Sequence, residues 1–382
     1  MKKVLFVSHS AELNGAELML LETLSHLDKS RIFSVLVVPA PGRLADEARA
    51  RNLETRVVPM KWWLTEPGRQ WKQPLAWTWS LSAVLRLNRI IDREGIRLVV
   101  SNSAATFSGA LAAFSRRRPH MWIIHELLAK PHSHLAFLFG RKALIRLIYG
   151  LSTCVVVNSL ATREAFPNPA GVELVYNGVS VHPVDSAVRS ELRRQFGFRT
   201  QDFVLGIVGK ISEPKGQREV IAAVEKLQKS FPEVRLLVVG AVRDETYYRG
   251  LLQHLKQHGL DQKVIFTGYR RDVRELLQAM DLLVAASRFD SFGRSIIEAM
   301  AAGTPVLVLR AGGAEEIIRH GDNGFLSDSR EPEALSRDIA GILKHPELRR
   351  RFAEAGIRTV REKFSLDDQV SRIQGIMEKY ID

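Results

Sequence analysis

"VSVHPVDSAVRSELRRQFGFRTQDFVLGIVGK", residues 179–210, ends one series of short apolar runs and begins another. Before it stand "KKVLFVSHS", "FSVLVVP", "TRVVPM", "IRLVVSNS", "HMWIIHE", "TCVVVNS" and "VELVYNG". After "FVLGIVGK" come "VRLLVVG", "KVIFTGY", "DLLVAAS", "TPVLVL" and "NGFLSD". Continuous Val/Leu/Ile strands separated by helical patterns mark parallel sheets covered on both faces. The sequence therefore predicts an α/β protein of two Rossmann-like, doubly wound domains, near 1–180 and 196–360, facing across a cleft that is the default ligand site. Residues 361–382 read as an amphipathic helix whose path could cross back to the first domain.

The 382 residues, 46% hydrophobic, suffice for two cores. Lys and Arg number 55 against 42 Asp and Glu, a net charge of +13 that favours anionic partners. Nucleic acid is not expected among them, because finger spacings, RNA-binding signatures and a sustained basic tail are missing. The single cysteine, Cys154, sits in an apolar run and fits a reducing, cytoplasmic compartment. "MKKVLFVSHS" has too short an apolar run for a signal peptide, and no run reaches the roughly 18–20 residues of a spanning helix.

Two stretches suit phosphate. "GIVGKISEPKGQREVIAAVEKL", residues 206–227, runs from strand to helix through Gly209, Lys210, Lys215 and Gly216, although its spacing is not that of a Walker loop. "SRFDSFGRSIIEAMAAGTPVLV", residues 287–308, predicts a helix over 291–302 with Asp290 as its N-cap. The amides of Phe292, Gly293 and Arg294 would then face an anion. Glu298 could accept two ribose hydroxyls, and Asp290 could face a sugar. A solvated turn, and an N-cap aspartate followed by an exposed helix glutamate, satisfy the same patterns.

In the first half, "NGAE" at 14–17 enters a helix, where Gly15 could bring backbone near a sugar or diphosphate. The full dinucleotide glycine pattern is missing. His125 and Glu126 follow a strand, and His125 could bind a sugar or position an acceptor. His132 and His134 lack HExxH spacing, so no metal is expected there. No G-x-S-x-G elbow occurs. "KWWLTEPGRQWKQPLAWTWS", residues 61–80, holds Trp62, Trp63, Trp71, Trp77 and Trp79 with Lys61, Arg69 and Lys72. It fits an anionic membrane surface, an acceptor groove or ordinary packing.

With "FDSFGRSIIEAMAAGTPVL", "GKISEPKGQ", "GGAEEII" at 312–318 and "NGAE", the whole chain resembles the retaining, nucleotide-sugar-dependent glycosyltransferases of family 4 (group 1), which have the GT-B fold. The resemblance makes Glu298 the ribose ligand and puts Asp290, where the family commonly has glutamate, beside the donor sugar. It matches Lys210 and Lys215 to the family's basic pair, keeps Gly15 of the N-terminal glycine loop and puts His125 at the expected strand end. Asp290, His125, Lys210 and Lys215 are the catalytic candidates; Gly15, Gly209, Lys210, Lys215, Phe292, Gly293, Arg294 and Glu298 are the donor-binding ones. The resemblance implies a UDP- or GDP-sugar co-substrate bound by 196–360, no tightly bound cofactor or metal, and a glycan, lipid-linked or small-molecule acceptor bound by 1–180. A cytoplasmic enzyme, peripheral on an anionic membrane face, fits these expectations. A non-catalytic GT-B-like sugar-binding or scaffold protein, and an epimerase or phosphorylase on the same fold, stay open as alternatives.

Overall fold

The computed structural model describes residues 2–65, 68–128, 135–168 and 170–381, leaving aside the side chains of 72, 75 and 76. The chain divides into two units, Met1–Gly178 with Leu366–Asp382, and Val179–Ser365.

In the first unit the strands are β1 (Lys2–Ser8), β2 (Ile32–Val38), β3 (Glu54–Val57), β4 (Leu98–Asn102), β5 (His120–Ile124), β6 (Cys154–Val157) and β7 (Val172–Leu174). They pair in parallel in the order β3-β2-β1-β4-β5-β6-β7. The intervening helices are α1 (Gly15–His26), α2 (Arg43–Ala50), α3 (Gln73–Glu94), α4 (Ser108–Ser115), α5 (Gly140–Gly150) and α6 (Leu160–Arg163). The strands are apolar throughout because both faces are covered. Val4 and Phe6 join a core with Met19 and Leu20 of α1, whereas Leu5 and Val7 join another with Leu87 and Ile91 of α3.

The second unit holds β8 (Phe203–Val208), β9 (Val234–Val239), β10 (Val264–Gly268), β11 (Leu282–Ala285), β12 (Val306–Leu309) and β13 (Phe325–Ser327). Their parallel order is β10-β9-β8-β11-β12-β13. Its helices are α7 (Ser186–Gln195), α8 (Gln217–Leu227), α9 (Glu245–Gln257), α10 (Val273–Ala279), α11 (Arg294–Ala301), α12 (Ala314–Ile317), α13 (Pro332–Leu343) and α14 (Pro346–Lys363). Thus every apolar run singled out in the sequence contains a strand. Residues 181–195, left between the two expected domains, belong to the second unit, as do residues 179 and 180, expected in the first. Arg189 of α7 donates to the Gln278 and Met280 carbonyls at 2.6 and 2.9 Å, and Arg193 reaches the Asp281 carboxylate at 3.0 Å.

The last helix, α15 (Leu366–Ile381), belongs to the first unit. Its Val370, Ile373, Ile376 and Met377 are buried in the core that contains α1, and Gln369 Nε2 donates to Thr23 Oγ1 at 3.0 Å.

Candidate functional site

In each sheet the strand order reverses once, between β1 and β4 and between β8 and β11. The loops leaving such paired strands diverge to opposite sides and open a crevice at the carboxyl ends. The candidate residues gather at these two places, one set in each unit.

After β8, Gly209 spends its N–H on the Val239 carbonyl at 2.9 Å, so that amide serves the sheet and not an anion. Lys210 is exposed, and its carbonyl accepts from the buried Gln217 Nε2 at 2.9 Å. A single 3-10 turn, Glu213–Lys215, leads to Gly216 at φ 82°. A Cβ on Gly216 would lie 2.5 Å from the Ala286 carbonyl oxygen, so glycine is needed both for the left-handed backbone and for the close approach to the loop after β11. That approach lets Lys215 Nζ donate to Asp290 Oδ1 at 2.6 Å, with both side chains about two-thirds buried.

The helix expected over 291–302 begins at Arg294, with Gly293 as its N-cap at φ 95°. Asp290 therefore stands in the preceding loop and is not the cap. The cause lies in "GGAEEII". The Gly313 N–H donates to the Asp290 carbonyl at 3.1 Å, and Cβ atoms on Gly312 and Gly313 would fall 1.9 Å from the Asp290 oxygen and 2.6 Å from the Ser291 oxygen. The loop from 290 to 292 is pressed onto these glycines and cannot wind into the helix. Phe292 is buried edge-on against Phe364, ring centroids 5.5 Å apart, so its side chain anchors the loop. One turn into α11, the Arg294 guanidinium holds Glu298 Oε1 at 2.7 Å. The glutamate, expected to be exposed if purely structural, is only 24% exposed at its side chain.

Two residues here carried no sequence signal. Gln217 ties the Lys210 carbonyl to the start of α8. Arg330, 8% exposed, donates through Nη2 to the Glu213 carbonyl at 2.7 Å and to Glu219 at 2.6 Å, fixing the turn that presents Lys215.

In the first unit the hub is Asn102, the buried last residue of β4. Its Nδ2 donates to the Ala16 carbonyl at 3.1 Å, so its Oδ1 faces His125 Nε2, 2.9 Å away. The proton of a neutral His125 ring is thereby assigned to Nε2, which makes Nδ1 an acceptor. His9, just after β1, brings Nδ1 to 3.1 Å from the Asn102 carbonyl and 3.2 Å from Glu17 Oε1. Glu17 is fully buried and accepts the Asn14 N–H through Oε2 at 3.2 Å. Gly15, the exposed first residue of α1, lies beside this cluster. Glu126 is spent on its surroundings: it accepts from Ser103 Oγ and from the N–H groups of Ala104 and His125, both at 3.1 Å. Ser103, at φ 120°, carries the strain of this junction. His9 and Asn102 escaped the sequence reading because a lone His or Asn after a strand has no distinguishing pattern.

His132 and His134 lie outside the described residues. The tryptophan-rich stretch divides: Trp63 is buried, Trp62 Nε1 donates to the His9 carbonyl at 2.7 Å, and Trp71 and Trp79 are 72% and 58% exposed. Residues 66 and 67 and the Lys72 side chain also lie outside the described part of the chain.

Residues 188–359 match the family described as Glycosyl transferases group 1, and residues 13–182 match Glycosyltransferase Family 4. The lipopolysaccharide core biosynthesis glycosyltransferase LpsE of Rhizobium meliloti is 34% identical over 158 residues, 41% of this chain and 44% of the relative. N-acetyl-alpha-D-glucosaminyl L-malate synthase of Bacillus anthracis is 28% identical over 215 residues, 56% of this chain and 55% of the relative. The chain spans about half the length of the curated relatives it matches. Over 99% of this chain and 100% of the other, the crystal structure of Anabaena HepE in complex with UDP and glucose superposes with a TM-score of 0.85 at 26% identity.

Proposed function

Because the chain belongs to the glycosyltransferases of group 1 and family 4, with the GT-B fold, we propose that it moves a sugar, with retention, from a UDP- or GDP-sugar to a hydroxyl of a glycan, lipid-linked or small-molecule acceptor. One observation carries this reading: Lys215 and Asp290 meet at 2.6 Å at the strand-order reversal of the second sheet, beside the exposed Lys210 and the start of α11. HepE has been crystallised with UDP-glucose, which favours a uridine donor here.

In this reading Lys210 and Lys215 hold the diphosphate, and Asp290 keeps the Lys215 ammonium in place until phosphate oxygens compete for it. Charge growing on the leaving diphosphate would meet the two lysines already bound to it, a large source of barrier reduction. Arg294 orients Glu298 toward the ribose. The acceptor oxygen would bond to the anomeric carbon on the face from which the diphosphate leaves, its proton passing to the leaving diphosphate, with no covalent enzyme intermediate. In the first unit, His125, its Nε2 fixed by Asn102, would meet a sugar or acceptor hydroxyl, and Gly15 would bring backbone near a sugar.

An acceptor at a membrane surface is supported by Trp71, Trp79, Leu138 and Phe139, which are 72%, 58%, 40% and 65% exposed. Exposed Arg141 and Lys142 follow directly. Among the described residues no helix is long and apolar enough to cross a membrane, so attachment would be peripheral.

The test is a calorimetric screen of UDP-, GDP-, ADP- and dTDP-sugars, followed by mass spectrometry and anomeric NMR of the product. Asp290→Ala is expected to lower turnover far more than nucleotide affinity, and Glu298→Ala to weaken mainly the nucleotide. Failure of every donor to bind at millimolar concentration overturns the proposal. Donor binding without transfer to any acceptor favours the non-catalytic alternative, and product formed without an acceptor alcohol favours epimerisation or phosphorolysis.

A further inference from the structure

Away from the candidate site, α8 and α9 lie side by side on one face of the second sheet. Val224 of α8 and Leu251 and Leu255 of α9 share a core, and the Arg218 N–H donates to Tyr247 Oη at 2.9 Å. At the far end of this pair, Glu225 leaves the buried stripe of α8 toward His254 and His258. Spaced four apart, the two histidines share one face of the helix end.

Their geometry is that of a chelate. His254 Nε2 is 3.1 Å from Glu225 Oε2, and His258 Nδ1 is 2.8 Å from Glu225 Oε1. The two imidazoles stack with centroids 4.2 Å apart and planes 25° from parallel. One ion pair would need one histidine; here both rings turn a nitrogen to the same carboxylate. The three ligand atoms lie within 4.8 Å of one another, whereas ligands on a tetrahedral zinc with bonds of about 2.0–2.1 Å sit about 3.3 Å apart. The widest gap would close by side-chain rotation of groups that are half-buried or exposed.

We propose that Glu225, His254 and His258 bind one divalent transition-metal ion of the zinc class. Each imidazole would give a lone pair from the nitrogen now facing Glu225, its proton resting on the other ring nitrogen. The carboxylate would supply the third bond and a compensating charge, and water the fourth. An N₂O donor set suits zinc and its neighbours and not magnesium or calcium. Joining α8 to α9, the ion would stabilise the folded unit by binding it and not the unfolded chain. This proposal does not rest on the assigned activity.

The experiment uses the full chain, free of any histidine tag and stripped with chelator, titrated with Zn²⁺ by calorimetry and with Co²⁺ by visible absorption. Expected are one zinc per chain, absorption bands of a four-coordinate cobalt site, and a higher melting temperature with zinc. Glu225→Gln, and separately the pair His254→Gln and His258→Gln, should weaken binding at least about tenfold and abolish the thermal shift. Their circular dichroism and metal-free melting serve as the folding check. If the histidine pair does not fold, Glu225→Gln alone decides. Absence of saturable binding at micromolar zinc, or unchanged affinity in a folded variant, overturns the proposal.

Discussion

At the scale of single residues, the loop carrying Asp290 is shaped by atoms that are missing. Gly312 adopts φ 59°, and a Cβ there would stand 1.9 Å from the Asp290 carbonyl oxygen. Gly312→Ala should therefore push Asp290 away from Lys215 without introducing any group that touches a ligand. The expected losses are about 1–3 kcal/mol of stability, from strain, and a roughly tenfold or greater fall in turnover, the scale of one charge-assisted hydrogen bond, with donor affinity changed less, as for Asp290→Ala. Thermal melting and a transfer assay, with donor calorimetry beside it, would measure them. Gly341 in α13 is the contrast, since a Cβ there meets nothing within 4 Å. Gly341→Ala should raise stability by about 0.5–1 kcal/mol and leave donor affinity alone. Normal turnover in folded Gly312→Ala would show that the loop adapts or that the Asp290–Lys215 contact is not what the reaction needs.

At the scale of elements, α15 can be followed through the chain's one cysteine. Cys154 on β6 is buried beneath this helix, burial pushes its thiol up to about 11, and the Tyr380 side chain hydrogen-bonds to it. At pH 8 only about one thiol in a thousand would be the reactive thiolate, so labelling should be slow and should speed up as pH rises toward that value. Ile376→Asp, which puts a charge into the α15 seam, should speed labelling at pH 8 by at least about tenfold if opening of the helix is limiting; equal rates would mean that Cys154 is reached by another route. Strands were legible at this scale because a doubly covered strand is apolar at every position, as in Val4–Val7 and Val204–Leu205. The start of α11 was not, since Asp290 has the chemistry of an N-cap and the contact displacing it comes from Gly312, more than twenty residues later. The phosphate-compatible stretches could be read from glycine and lysine side by side in sequence. Asn102, His9 and Arg330 act through partners distant in the chain, and no spacing rule reports them.

At the scale of the whole molecule, net charge and exposed aromatic surface act together. A charge of +13 draws the chain toward any anionic surface, but screening confines that attraction to within about 10 Å at 0.1 M salt. Retention at such a surface would then depend on the apolar side chains carried there. Trp77 packs against Phe139 at 6.0 Å between ring centroids, and Leu138 N–H donates to the side-chain Oε1 of the buried Gln73 at 2.8 Å. The start of α3 and the segment before α5 therefore pack together, and Trp71, Trp79, Leu138 and Phe139, on or next to these segments, are exposed. Bilayer insertion of these side chains would outlast added salt, whereas charge attraction alone would not. Co-sedimentation with anionic vesicles should fall between low and high salt yet leave a measurable bound fraction, and Trp71→Ser with Phe139→Ser should remove that residue while sparing most low-salt binding. Complete release of the wild type at high salt would assign the attachment to charge alone. No binding at either salt, with full transfer to a water-soluble acceptor, would move the acceptor off the membrane.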